Sequence, residues 1–172
     1  SNFAYYYTGG KIVDPENTLT SIWGQYSTST NQALFRDSVH LLNDNFTLDA
    51  DSLRYNTKTN IANIIAPSHI VYDKETDIDT KKGWYNTSTE QMMLLDRSFI
   101  KQKDGKTITG DTVFYDKKLK FGEAFSKVIM NDTVQKSTLK GNYVYYNENN
   151  ENGVAADSAI LVDWSSQDTM YV

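Results

Sequence analysis

Aliphatic and polar residues alternate along most of this chain in long runs separated by short clusters of Asn, Asp, Thr, Lys and Gly. An alternation of period two puts one set of side chains on one face of a β-strand. Four such runs end at a tyrosine: FTLDADSLRY, TDIDTKKGWY, KTITGDTVFY and STLKGNYVYY. Polar turns follow such tyrosines, as in YNTKTN (55–60) and YNTSTE (85–90), and second apolar runs come after the turns at Tyr26, Tyr55, Tyr85 and Tyr115: ALFRDSVHLL, ANIIAPSHIVY, MMLLDRSFI and GEAFSKVIM. No stretch carries a helical period of useful length.

The runs belong to a repeat. Tyrosines at 26, 55, 85, 115 and 146 are spaced by 29, 30, 30 and 31 residues. Seven positions earlier stand Leu19, Leu48, Ile78, Ile108 and Leu139, and five positions earlier stand Ser21, Ala50, Thr80, Gly110 and Gly141. The residue after each tyrosine is Ser27, Asn56, Asn86, Asp116 or Asn147, short side chains that bond the local backbone in turns. Asp44-Asn45, Asp73-Lys74, Asp104-Gly105 and Asp132-Thr133 turn the chain into the next copy. The pattern predicts about a dozen strands built from hairpin repeats of about thirty residues. One such hairpin cannot bury its apolar face alone, so successive copies must stack on a shared core.

If Val39, Ile70, Phe99 and Val128 are equivalent, steps of two define an apolar face in each second strand: Phe35, Val39 and Leu41; Ile64, Ile70 and Tyr72; Met93, Leu95 and Phe99; Ala124, Val128 and Met130. With Leu48, Ile78, Ile108 and Leu139 from the first strands, these residues form a continuous apolar strip and are the candidate binding surface. Asp37, Ser68, Arg97 and Ser126 interrupt the face at a shared place, which predicts a bulge or bend there.

Composition sharpens the class. Twelve Tyr, seven Phe and three Trp with only two Pro favour strands. A length of 172 residues suits a single domain, 1–172, and a net charge of −5 without a basic stripe argues against nucleic acid as a partner. The absence of cysteine removes disulfides, thiol catalysis and Cys-type zinc sites. No apolar stretch approaches the ~20 residues of a membrane-spanning helix. The start, Ser1-Asn2-Phe3, lacks a signal-peptide layout and the last stretch stops within a strand-like run, so a fragment of a longer protein is expected.

Candidate chemistry is sparse. His40 and His69 fall on the mixed face of neighbouring copies with no acidic column beside them, and are read as surface residues rather than ligands. DKETDIDTKK (73–82) alternates acids but has Ile78 and Trp84 where a calcium loop needs Gly and Glu. Asp51, Asp111 and Asp157 recur because the repeat recurs, which is unlike catalytic carboxylates. Trp23, Trp84, Phe114 and Tyr145 are placed to form a cross-strand aromatic ladder, with a carbohydrate platform as the second reading.

The recurring Ala50-Asp51, Gly110-Asp111 and Gly141-Asn142, the Tyr55-Asn56 and Tyr115-Asp116 closures, and the stretches YYTGGKIVDPENTLTS and GDTVFYDKKLKFGEAF resemble the OstA/LptA-like lipopolysaccharide-transport family. The resemblance implies an all-β jellyroll shaped like an open V or taco, two antiparallel sheets around an apolar trough. It also implies a periplasmic, non-enzymatic, cofactor-free domain, with possible association at the outer membrane. Implied partners are lipopolysaccharide or a lipid A-like glycolipid, and other envelope transport proteins or like domains through edge strands. The alternative expectation is a scaffolding module with a closed core that associates by strand pairing without lipid.

Overall fold

The computed structural model describes residues 2–13, 15–150, 152–164 and 169–171, and every regular element among them is a strand. The run expected to end the chain is therefore described at 156–164 and 169–171, with strands at 160–163 and 169–171, and residues 165–168 and 172 lie outside the described residues. The strands are β1 (Phe3–Tyr6), β2 (Gly10–Val13), β3 (Asn17–Ser21), β4 (Trp23–Ser27), β5 (Gln32–Asn43), β6 (Phe46–Asn56), β7 (Ile61–Ile64), β8 (Ser68–Tyr72) and β9 (Thr76–Thr80). There follow β10 (Lys82–Asn86), β11 (Gln91–Gln102), β12 (Thr107–Asp116), β13 (Phe121–Asp132), β14 (Ser137–Asn147), β15 (Asn152–Ala156), β16 (Ile160–Asp163) and β17 (Thr169–Tyr171).

All pairings are antiparallel and link the seventeen strands into one sheet. That sheet is bent along its middle. Six long strands (β5, β6 and β11 to β14) pass through the bend, whereas β1/β2, β3/β4, β7/β8, β9/β10 and β15/β16 are single passes broken at it. With β17 this makes twelve passes, which accounts for the dozen strands expected from the repeat.

The bend has a local cause. Successive residues with left-handed backbone stand at the bend, Asp37-Ser38, Asp96-Arg97, Ser126-Lys127 and Asp157-Ser158, and in the first three pairs two residues oppose one on the neighbouring strand, an insertion of one position. The register jumps there between Arg36 and Val39, between Leu95 and Ser98, and between Phe125 and Val128. Extra residues on one strand bend it and increase its twist. The expected bulge is thus present at Asp37, Arg97 and Ser126. Ser68 is different: it lies inside β8, and the second copy turns the corner at the break between β7 and β8, beside Pro67.

The turns next to the tyrosines are stapled to one another. Asn56 and Asn86 each accept two backbone N–H bonds within their own turn, from Lys58 and Thr59 and from Ser88 and Thr89. Between copies, the N–H of Thr57 bonds the Asn31 carbonyl, Thr87 bonds Asn60, Lys117 bonds Glu90, and Glu148 bonds Lys120. The recurring Asn thus fixes each turn, and the turns fix the stacking distance.

Candidate functional site

The bend brings the two halves of the sheet face to face, and the columns of the repeat become rows across this inner surface. In the second layer one row runs Ile12, Leu19, Leu41, Leu48, Ile70, Ile78, Ile100, Ile108, Met130, Leu139, Leu161 and Met170, each paired with the next across neighbouring strands. All twelve are aliphatic, and at the usual strand spacing they span roughly 50 Å. In the first layer the repeat tyrosines alternate with smaller residues: Tyr26, Ala33, Tyr55, Ala62, Tyr85, Met92, Tyr115, Gly122 and Tyr146. Small residues gather at the crease. There Ala50 pairs with Ser68 and Ser68 with Thr80, and the Thr80 and fully buried Ser98 hydroxyls meet at 2.8 Å. Bulk at these positions would hold the layers apart.

The interior therefore changes character with depth: small hydroxyl-bearing residues at the crease, aliphatic residues above them, tyrosines higher, and charged residues at the rim. The rim is bridged in the middle of the array. Asn45 donates to Glu90 at 3.0 Å, and Lys117 lies 3.1 Å from Asp73 and 3.7 Å from Glu90. Beneath them Phe46 meets Tyr85 edge-on at 4.6 Å and Tyr72 meets Tyr115 at 6.1 Å, each pair joining the two layers. Burial raises the pKa values of Tyr72, Tyr85 and Tyr115, with nearby carboxylates adding to the effect. These phenols stay neutral at any physiological pH.

At its middle, then, the trough is packed shut: Leu48, Leu53, Ile64, Ile78 and Leu94 are essentially without solvent exposure. Its ends differ. At the first, the Tyr6 ring lies over Gly10 and Gly24 and its hydroxyl bonds Ser21 at 2.6 Å, covering the inner face near the crease, while Ile12 at the start of the row is exposed. Towards the other, Ile108, Met130, Leu139 and Leu161 are only partly buried, and Tyr146 and Met170 are exposed.

Of the residues expected to form the apolar strip, Phe35, Val39, Leu41, Leu48, Ile64, Ile70, Tyr72, Ile78, Ile108, Val128, Met130 and Leu139 do face the interior. Met93, Leu95 and Phe99 do not. Their strand is one position out of phase with the expected register: Met92, Leu94, Ser98 and Ile100 point inward, and Phe99 is 40% exposed. The equivalent of Val39 in this copy is Ser98, paired with Gly110 at the crease, and a buried serine gives no apolar signal to align on. Phe46, Leu53, Tyr85, Val113 and Val144 also belong to the inner face. Their signal was already present in the alternation of the first strands.

The outer face corrects a second expectation. His40, Asp49, His69 and Asp79 occupy one row across neighbouring strands, so an acidic column does accompany the histidines. His40 Nδ1 lies 2.7 Å from Asp49 and His69 Nδ1 lies 2.9 Å from Asp79, all four being exposed. They line a shallow groove of about 810 Å³ over the bend, with Pro67, Arg97 and Phe99. Among the described residues no cluster of three or more His, Cys, Asp or Glu is placed to hold a metal ion. Of the anticipated ladder, Phe114 and Tyr145 are joined through Phe121 at 5.8 and 5.9 Å, while Trp23 carries Arg36 over its ring at 5.3 Å.

Residues 1–51 match the family described as OstA-like protein. Among solved structures the chain is similar to LptH of Pseudomonas aeruginosa, described as the LptA-homologous periplasmic component of the conserved lipopolysaccharide transport device. The identity is 10%, with 91% of this chain and 93% of that one covered, at a TM-score of 0.39. No curated protein matches the chain.

Proposed function

We propose that this domain is a non-enzymatic, periplasmic component of outer-membrane biogenesis that holds the acyl chains of lipopolysaccharide, or of a similar amphipathic glycolipid, between its two layers. The observation that carries the reading is the unbroken aliphatic row from Ile12 to Met170, with tyrosines nearer the rim and charge at the rim itself. A compact substrate needs a closed pocket with a few fixed polar groups. A long apolar strip suits an extended chain instead, and removing its surface from water contributes about 25 cal/mol per Å². The match of residues 1–51 to an OstA-like protein supports the same reading. Loading would begin at the end near Leu139 and Leu161, where the inner face is partly exposed, and proceed past the bridged rim as the layers part.

The test is binding of a fluorescent lipid A analogue. Met130→Asp and Leu139→Asp place a charge on the half-exposed part of the row, where the fold tolerates it better than at buried Ile70 or Val128. Each is expected to abolish binding while circular dichroism stays unchanged. Binding that survives both removes the trough from the account.

A second reading rests on the packed middle: the layers form a permanent core and the domain joins like domains through strand addition at its terminal strands. Concentration-dependent self-association, without any binding of the lipid A analogue, would favour it.

A further inference from the structure

Among the described residues two buried side-chain polar atoms have no hydrogen-bond partner, Gln32 Oε1 and the Tyr72 hydroxyl, and the second lies in the interior between the layers. Tyr72 is 7% exposed, and its hydroxyl makes no hydrogen bond among the described residues. A buried phenol usually finds an acceptor, because an unpaired one has lost its hydrogen bond to water and gained none in return. The carboxylates above it are already engaged, Asp73 and Glu90 by Lys117 and Glu90 also by Asn45. The Lys117 ammonium sits 5.3 Å over the Tyr72 ring and closes the site from outside.

The position matters as much as the vacancy. Tyr72 pairs with Phe46 and Thr76, one inward-facing step nearer the rim than Ile70 and Ile78 of the aliphatic row. An amphiphile whose chain lies along that row would bring its first polar linkage to this depth. Burial raises the Tyr72 pKa, so the hydroxyl keeps its proton and can donate.

We propose that the Tyr72 hydroxyl is a binding subsite for a carbonyl oxygen at the ester or amide junction between an acyl chain and its headgroup. This rests on the lipid-binding reading above and adds to it a selectivity for acyl over alkyl chains. The hydroxyl donates to the carbonyl, the aliphatic row takes the chain, and the headgroup emerges at the Lys117, Asp73 and Glu90 rim.

The experiment compares two probes on the intact domain: a fluorescent diacyl glycolipid with ester-linked chains and its dialkyl ether counterpart. Tyr72→Phe keeps the ring and removes only the hydroxyl. The expected result has three parts: affinity for the ester probe falls about tenfold, affinity for the ether probe is unchanged, and the melting temperature of the unliganded variant is equal to or above that of the parent. An ester-probe affinity of Tyr72→Phe equal to that of the parent, with the parent binding both probes, overturns the subsite while the trough survives. If the parent binds neither probe, the lipid reading fails and the subsite fails with it.

Discussion

Lys117 and Asp73, on opposite layers and 44 residues apart in the chain, meet across the rim at 3.1 Å. With Glu90 at 3.7 Å and Asn45 bonded to Glu90, they form a polar clasp over the tyrosine pairs. Ion pairs this close to solvent contribute at most about 1 kcal/mol, because water screens them and two long side chains must be ordered. A weak latch is what the proposed loading between the layers requires. Lys117→Met should therefore change stability by less than about 1 kcal/mol yet speed association of the lipid A analogue in stopped-flow fluorescence. An unchanged association rate would mean that loading does not pass this rim.

Leu94 and Leu95 test the register. Leu94 is fully buried between Gly83 and Val113, whereas Leu95 lies on the outer face opposite Lys82 and Thr112. Leu94→Ala should cost about 2 to 5 kcal/mol, and Leu95→Ala under about 1 kcal/mol, in urea unfolding. The reverse order would restore the phase in which Leu95 and Phe99 face inward.

The interior tyrosines give the domain a signature at alkaline pH. Burial raises the pKa values of Tyr72, Tyr85 and Tyr115 above that of an unfolded tyrosine. Their neutral forms thus stabilise the fold fully below the unfolded pKa of about 10, and this contribution is lost as pH rises above it. Spectrophotometric titration should show the more exposed tyrosines ionising first, with the remaining tyrosinate signal appearing together with loss of the near-ultraviolet circular dichroism.

Asp116 gives the opposite dependence. Burial opposes its charge, but hydrogen bonds from the Gln91 amide and from the Leu119 and Lys118 N–H groups outweigh it and hold its pKa below the usual value. Its contribution is present above the unfolded carboxylate pKa and disappears as pH falls through the lower folded value. Asp116→Ala should destabilise by about 2 kcal/mol at pH 7 and flatten the acid limb of the stability profile.

Much of this was legible in the sequence because a repeat turns columns into rows. The Leu19, Leu48, Ile78, Ile108 and Leu139 column became part of the aliphatic row, the small residues near Ala50 and Gly110 became the crease, and the tyrosines became a row of the other layer nearer the rim. The register of β11 was not legible. Met92-Met93-Leu94-Leu95 is apolar on both faces, so alternation cannot choose between them, and the crease position that would decide it is Ser98. The histidine and aspartate row was missed because the partners are nine and ten residues apart, which only hairpin register brings together. The clasp was missed for a related reason: Asn45 with Glu90, and Asp73 with Lys117, join different copies across the bend.

The central claim is that an acyl chain lies between the layers rather than on either outer surface. Leu139 and Ile129 separate these cases, since they sit on neighbouring strands with Leu139 paired to Met130 on the inner face and Ile129 paired to Lys140 on the outer one. A photoreactive phenylalanine analogue placed at each position and irradiated with lipopolysaccharide provides the measurement. The account predicts a lipopolysaccharide adduct at position 139 and none at 129; equal labelling of both, or labelling at 129 alone, would contradict it.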